Sequence, residues 1–159
     1  MADVVGIGTY RKRGGVFPAI KGEQDTIDRA LDEVGIGDLK YRGVATLSGG
    51  ERRKVSIARE IGRSVEVLLF DEVLANLDPP AQIDINHLIQ KIHKEKDITI
   101  IFVTHLLHYL PEHVERIVGL KRGEVLFDKP RGKITRRLLA ELYSCDEDKL
   151  NKYVGTFRV

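Results

Sequence analysis

One cysteine, Cys145, stands in 159 residues. A single thiol cannot form an intrachain disulfide, which suits a reducing compartment. Neither sign of charge is in excess: 26 basic against 24 acidic residues leave a formal net charge of +2. That balance argues against nucleic acid or a membrane surface as partner. The basic cluster Arg11, Lys12 and Arg13 is short and reads as a solvated face. No apolar run approaches the ~18 residues of a membrane span. Met1 to Thr9 lacks the basic start and long apolar core of a signal peptide. These absences predict a soluble, cytoplasmic chain. Repeats, low-complexity segments and Pro/Ser-rich linkers are missing too. So is any G-x-x-x-x-G-K-[ST] loop, because Gly132-Lys133 is followed by Ile134 and has no glycine at the required place before it. His87, His93, His108 and His113 form no metal-like pairing, and His105 and His108, three apart, have no Cys or carboxylate partner nearby.

What is present suits one domain with a sizeable core: 42% of residues are hydrophobic and 31% charged. The stretch through Gly22 is Gly-rich and basic and reads as irregular. Ile27, Ala30, Leu31 and Val34 fall at helical spacing from Gln24 to Val34, and Gly35 and Gly37 end that helix. After a loop to Leu47, Ser48 and Glu51 form a capping-box pattern. It opens a helix with Val55, Ala58 and Ile61 on one face, running to about Gly62. The segment before Gly62 therefore looks entirely helical, a candidate separate lobe. Val67 to Phe70 is a continuous apolar run that suits a buried parallel strand, and Ile98 to Val103, rich in β-branched residues, predicts a second buried strand. Between them, Asp78-Pro79 caps and opens a helix bearing Ile85, Leu88, Ile89 and Ile92. Strand, helix, strand implies a parallel sheet covered by helices. Leu106 to Tyr109 predict a short helix, Ile117 to Phe127 a hairpin turning at Lys121-Arg122-Gly123, and Leu138, Leu139 and Leu142 a last helix.

Three features suggest chemistry. Asp71 and Glu72 are adjacent carboxylates at the end of an apolar strand, where they are costly unless used or paired. In phosphoryl-transfer sites an Asp at such a strand end holds Mg²⁺, and a Glu beside it can orient or deprotonate the attacking water. As a bare dipeptide, the pair fits a solvated strand-end turn equally well. Leu47-Ser48-Gly49-Gly50-Glu51 places two glycines before a helix N-terminus, whose free N–H groups and positive dipole end suit an anion. Ser48 can donate its hydroxyl to a phosphate, although a plain capped helix has the same pattern. His105 directly follows the second apolar strand. A lone histidine there is usually structural, but beside the Asp71 strand it would stand near the same phosphate.

Taken together, LSGGE, LLFDE, ANLD and VTH, in this order and spacing, closely resemble the ATP-binding-cassette (ABC) ATPase family over nearly the whole chain. The resemblance implies an α/β fold: a partial P-loop NTPase (ABC) fold with a helical subdomain, then a parallel-sheet core fragment and a C-terminal hairpin and helix. Residues 1–62 would be the helical signature subdomain, and the start Ala2-Asp3-Val4-Val5 fits it. Residues 63–159 would be the C-terminal part of the ATPase core. Leu47 to Glu51 match the signature loop, so Ser48, Gly49, Gly50 and Glu51 would contact ATP. Asp71 matches the Mg²⁺-associated carboxylate of the Walker B strand and Glu72 the catalytic glutamate. Asn76-Leu77-Asp78 match the D-loop that contacts an opposing subunit, which adds Asp78 to the residues expected to bind ATP, and His105 matches the switch histidine that contacts the γ-phosphate. The tail, Leu120 to Glu124 and Leu142-Tyr143, looks like that of ATPases serving metal, haem or siderophore uptake.

The resemblance also names what is missing. The chain lacks the Walker A loop, the adenine-stacking aromatic and the Q-loop glutamine, and Val73 stands where the family usually has Pro. It implies an ATPase by family that is inactive as this isolated chain, needing ATP, Mg²⁺ and a missing N-terminal ATPase portion. The further partners implied are a second ATPase subunit in a head-to-tail dimer and a membrane permease, which places the chain at the cytoplasmic side of the membrane, with no nucleic acid. Transport coupled to ATP, of a metal ion or metal chelate, is the expected function. The alternatives are a fragment of a DNA-repair or chromosome-maintenance ABC ATPase, or a short non-catalytic partner of a complete ATPase. The 23 residues from Ser48 to Asp71 and the absence of heptads before Leu47 favour the transporter reading.

Overall fold

A computed structural model describes residues 23–154 apart from 64, 106, 108, 109 and 112. The readings of residues 1–22 and of a short helix at Leu106 to Tyr109 lie outside what it describes. The chain divides after Val103 into two compact units.

The first unit opens with helix α1, Glu23–Glu33. Its apolar face buries Ile27, Ala30 and Leu31, and Val34 beyond it is buried too. Gly35, at φ +71°, ends it, a left-handed turn that suits a residue without Cβ. The segment read as loop contains two 3-10 turns, Gly37–Leu39 and Val44–Thr46. Helix α2, Gly49–Ile61, buries Val55, Ile57, Ala58 and Ile61. Strand β1, Val67–Asp71, leads to helix α3, Pro79–Glu95, and strand β2, Thr99–Val103. α3 buries Ile85, Leu88, Ile89 and Ile92. Each such side chain contributes about 1.5–3 kcal/mol when fully buried. Lys96 at the C-cap of α3 pairs with Glu33 at the end of α1 at 3.1 Å, and Lys54 of α2 lies 3.6 Å from Asp84 of α3.

β1 and β2 pair in parallel, Val67 opposite Thr99 through Asp71 opposite Val103. The crossover through α3 explains the pairing, since parallel neighbours need a long connection, usually a helix. The expectation of strands buried on both faces is corrected here. Leu68 and Phe70 are buried, but Val67, Leu69, Ile101 and Val103 are 53%, 63%, 46% and 46% exposed. Among the described residues of this unit only one sheet face is covered, so the apolar residues of the other face meet solvent.

The second unit is built on an antiparallel hairpin, β3 Arg116–Lys121 and β4 Glu124–Pro130. Arg122 and Gly123, at φ +53° and +84°, make its two-residue turn, the left-handed pair that matches strand twist. The register shifts between Gly119 and Leu120. Helix α4, Arg136–Tyr143, is capped by Thr135, and a short helix α5 spans Asn151–Val154. Their core joins Leu107, Ile117, Phe127, Ile134, Leu139, Leu150 and Val154. Among the described residues no helix is long and apolar enough to cross a membrane.

Candidate functional site

The loop Leu47 to Glu51, which resembles a signature loop, is closed by its own side chains. Ser48, extended at φ −64° and ψ 169°, caps α2: the Glu51 N–H donates to Ser48 Oγ at 3.2 Å. In return the Ser48 N–H donates to Glu51 Oε2 at 2.6 Å, completing the predicted capping box. Donation from the Ser48 backbone holds the Glu51 carboxyl below the usual carboxylate range. The Arg52 guanidinium donates to the Leu47 carbonyl, fixing the residue before the cap. Leu47 is buried while Ser48 and Gly49 are exposed, so the loop is anchored at one end and open at the other.

Asp71 closes β1 and is exposed. The ladder continues one step further, because the Glu72 N–H donates to the Val103 carbonyl at 2.9 Å. Glu72 then turns the chain at φ +48°, and Asn76 does so again at φ +60°. Left-handed backbone is uncommon outside glycine and is held in place by surrounding structure. Here the Ala75 N–H donates to the Glu72 carbonyl at 3.0 Å, and Val73 and Leu74 are buried at 4% and 7% exposure. Val73, at the position where proline was expected, is thus a core residue of the turn. Asp78 ends the loop as N-cap of α3, its Oδ1 accepting from the Ala81 N–H at 2.8 Å, with Pro79 and Pro80 opening the helix.

The two loops lie side by side. A Cβ on Gly49 would stand 3.4 Å from Leu77 Cδ2, and one on Gly50 would stand 3.2 Å from the Ala81 Cβ. The glycines therefore let the first turn of α2 approach the loop that links Glu72 to Asp78. His105 belongs to the second unit, where it is exposed, and its carbonyl accepts from Tyr143 Oη at 2.8 Å. Burial pushes the Tyr143 hydroxyl up.

Sequence reasoning missed two residues. Tyr143 anchors the His105 backbone across 38 positions, a contact with no local signal. Gln82 donates through Nε2 to the carbonyls of Leu74 and Leu77 at 3.3 and 3.1 Å. Its place four residues after an Asp-Pro helix start was the available clue.

Among the described residues no three His, Cys, Asp or Glu side chains form a metal cluster. Asp71 is a fitting ligand for Mg²⁺, which takes one or two carboxylates together with phosphate oxygens and water. A cradle of backbone N–H groups with a lysine, needed to hold those phosphates, has no counterpart in the sequence.

Comparison with known proteins agrees with this geometry. The ABC transporter family model matches residues 6–75. The chain is 41% identical over 121 residues to a phosphonates import ATP-binding protein of Anaeromyxobacter dehalogenans, covering 76% of this chain and 24% of that protein. It is 36% identical over 145 residues to one of Shouchella clausii, covering 90% and 54%. Among solved structures, it resembles an inward-facing ABC transporter of metal-chelate type, with a TM-score of 0.83 and 23% identity over 90% of this chain and 57% of that one. It also resembles cbiO1 of Clostridium perfringens, part of the ABC transporter complex cbiONQ, with a TM-score of 0.68 and 27% identity over 93% and 55%. The chain thus spans about half, or less, of the length of the curated relatives it matches. A capped loop seated on the turn that follows a carboxylate-ended strand thus lies in a chain that is similar to ABC transporter ATP-binding proteins, the family model matching residues 6–75.

Proposed function

We propose that this chain is the signature- and Walker B-bearing portion of an ABC transporter ATP-binding subunit that couples ATP hydrolysis to import. The observation that carries this reading is the packing of Gly49 and Gly50 against Leu77 and Ala81, beside the loop that Glu72 begins. Residues 1–62 act as the signature subdomain and 63–159 as the C-terminal part of the ATPase core. Asp71 holds Mg²⁺ at the open end of β1, and Mg²⁺-ATP supplies the phosphoryl group when bound. Glu72 accepts a hydrogen bond from the attacking water and takes up its proton. Ser48 and the N–H groups after Gly49 face the phosphates of an opposing subunit's nucleotide, and Asp78 belongs to the loop that meets that subunit. His105 donates to the γ-phosphate, with Tyr143 holding its backbone. Phosphoryl transfer of this kind depends on positioning and charge stabilisation.

The missing N-terminal ATPase portion supplies the phosphate loop. The open apolar sheet face of Val67, Leu69, Ile101 and Val103 supports such a partner, because parallel sheets bury both faces. A membrane permease completes the assembly at the cytoplasmic face. Relatives named as phosphonate importers favour an organophosphorus anion as cargo, in place of the metal, haem or siderophore suggested by the tail. The metal-chelate transporter, at 23% identity, supports the fold alone.

The test combines the chain with an N-terminal portion carrying the phosphate loop and measures Mg-ATP turnover and nucleotide binding. Turnover should appear only in the combination. Glu72→Gln should then lower it by about 10²-fold or more while leaving ATP affinity within about threefold, since a water-positioning carboxylate acts in the transition state. A parent-like rate in Glu72→Gln would remove the proposed base.

A further inference from the structure

The geometry points to Gln82 as a positioning residue that fixes the Glu72–Asp78 loop, and with it the seat of the signature glycines. Gln82 sits in the first turn of α3, where its own N–H donates to the Asp78 carbonyl at 3.0 Å. Its side chain reaches back, and the one amide nitrogen donates to Leu74 O and Leu77 O. Two carbonyls facing the same group demand donors, so the amide orientation follows from chemistry. A carbonyl left without a donor in a partly buried turn loses about the strength of one hydrogen bond.

The loop needs such a clamp. It contains two left-handed non-glycine residues, Glu72 and Asn76, whose backbone is costly unless its surroundings hold it. The two carbonyls that Gln82 ties lie between Glu72 and Asp78, and Leu77 between them carries the side chain that meets Gly49. The Gln82 side chain bonds the Leu74 and Leu77 carbonyls and, among the described residues, none of the groups proposed to meet nucleotide, so it acts through the loop. Its catalytic consequence rests on the function proposed above, but the clamp itself does not.

The experiment therefore has two arms. In the chain as it stands, hydrogen exchange is followed at the Glu72 and Ala75 amides, which donate to Val103 O and Glu72 O. Gln82→Glu keeps the length and replaces donors by acceptors. It should speed exchange at these two amides about tenfold while amides from Ile85 to Ile92 stay within about twofold, the signature of losing local hydrogen bonds and not the helix. Gln82→Arg, which keeps donors, should restore slow exchange, and Gln82→Ala replaces the Glu variant if that chain does not fold. Unchanged exchange at 72 and 75, an equal rise throughout α3, or no rescue by Arg would each overturn the clamp. In the second arm, the combination with the N-terminal portion should show kcat lowered about tenfold in Gln82→Glu, with the KM for ATP within about twofold, and recovery in Gln82→Arg. An unchanged kcat, or a KM raised as much as kcat falls, would overturn the catalytic role. If the parent combination itself is silent, the proposed function fails and the exchange arm alone decides on Gln82.

Discussion

Ser48 illustrates how one residue serves two states. Its hydroxyl accepts the Glu51 N–H, and its own N–H is taken by the Glu51 carboxylate, so the helix start is satisfied with no ligand. Ser48→Ala should cost about 1 kcal/mol in denaturant unfolding, the usual worth of an N-cap. The other half of the box is pH-dependent. Because the folded Glu51 pKa lies below its ordinary value, its stabilisation is fully present above the unfolded pKa, about 4.3, and is lost as pH falls through the folded pKa. Glu51→Gln cannot titrate, so the stability gap between parent and Glu51→Gln should hold at neutral pH and close on acidification. Unfolding midpoints of the two proteins across pH check this, and a gap that survives well below the ordinary glutamate range would show that Glu51 stabilises by some other means.

At the scale of elements, local signals were read well and tertiary ones were not. The capping box at Ser48, the Asp78-Pro79 start and the helical spacing of Ile85, Leu88, Ile89 and Ile92 are written within a few residues, and the helices stand where they were expected. Whether Leu69 or Leu68 is buried depends on which sheet face has a neighbour, and apolar identity alone does not encode that. Likewise, the Gln82 clamp exists only once Asn76 has turned left-handed, and α5 is too short to show periodicity. The signature, strand-end and His105 candidates were found through their order along the chain, and the contact between Gly49 and Leu77 was not. The hairpin shows the same division. Its turn was legible in Arg122-Gly123, but the need for Gly119 was not, because it arises from the opposite strand. A Cβ at Gly119 would lie 2.6 Å from the Phe127 ring, itself packed in the core of the second unit. Gly119→Ala should therefore destabilise by about 1–3 kcal/mol through overpacking, and the double variant with Phe127→Leu should cost less than the sum of the single changes. Thermal melting of the four proteins tests it, and strict additivity would mean that the ring is not the obstacle.

For the whole molecule, the open sheet face decides what the chain can do alone. Two parallel strands with one covered face leave Val67, Leu69, Ile101 and Val103 in water, and among the described residues each strand has one unpaired edge. Exposed apolar residues on a parallel sheet are a stable arrangement only when another layer is expected to cover them. The chain should accordingly show no ATP turnover by itself, since its sequence holds no phosphate loop and no layer covers this face among the described residues. Leu69 separates the two roles of this face. At 63% exposure, Leu69→Lys should change the stability of the isolated chain by no more than about 0.5 kcal/mol, as for most surface substitutions. In the combination with the N-terminal portion, the same lysine would be driven into an apolar layer without a partner, and a buried unpaired charge is strongly unfavourable. Association and turnover should both be lost, whereas Lys94→Glu, on the exposed surface of α3, should leave them intact. Titration of labelled chain with the N-terminal portion, read alongside phosphate release, makes the comparison. If Leu69→Lys associates as tightly as the parent, the N-terminal portion covers some other surface, and the open face of β1 and β2 is not where the ATPase is completed.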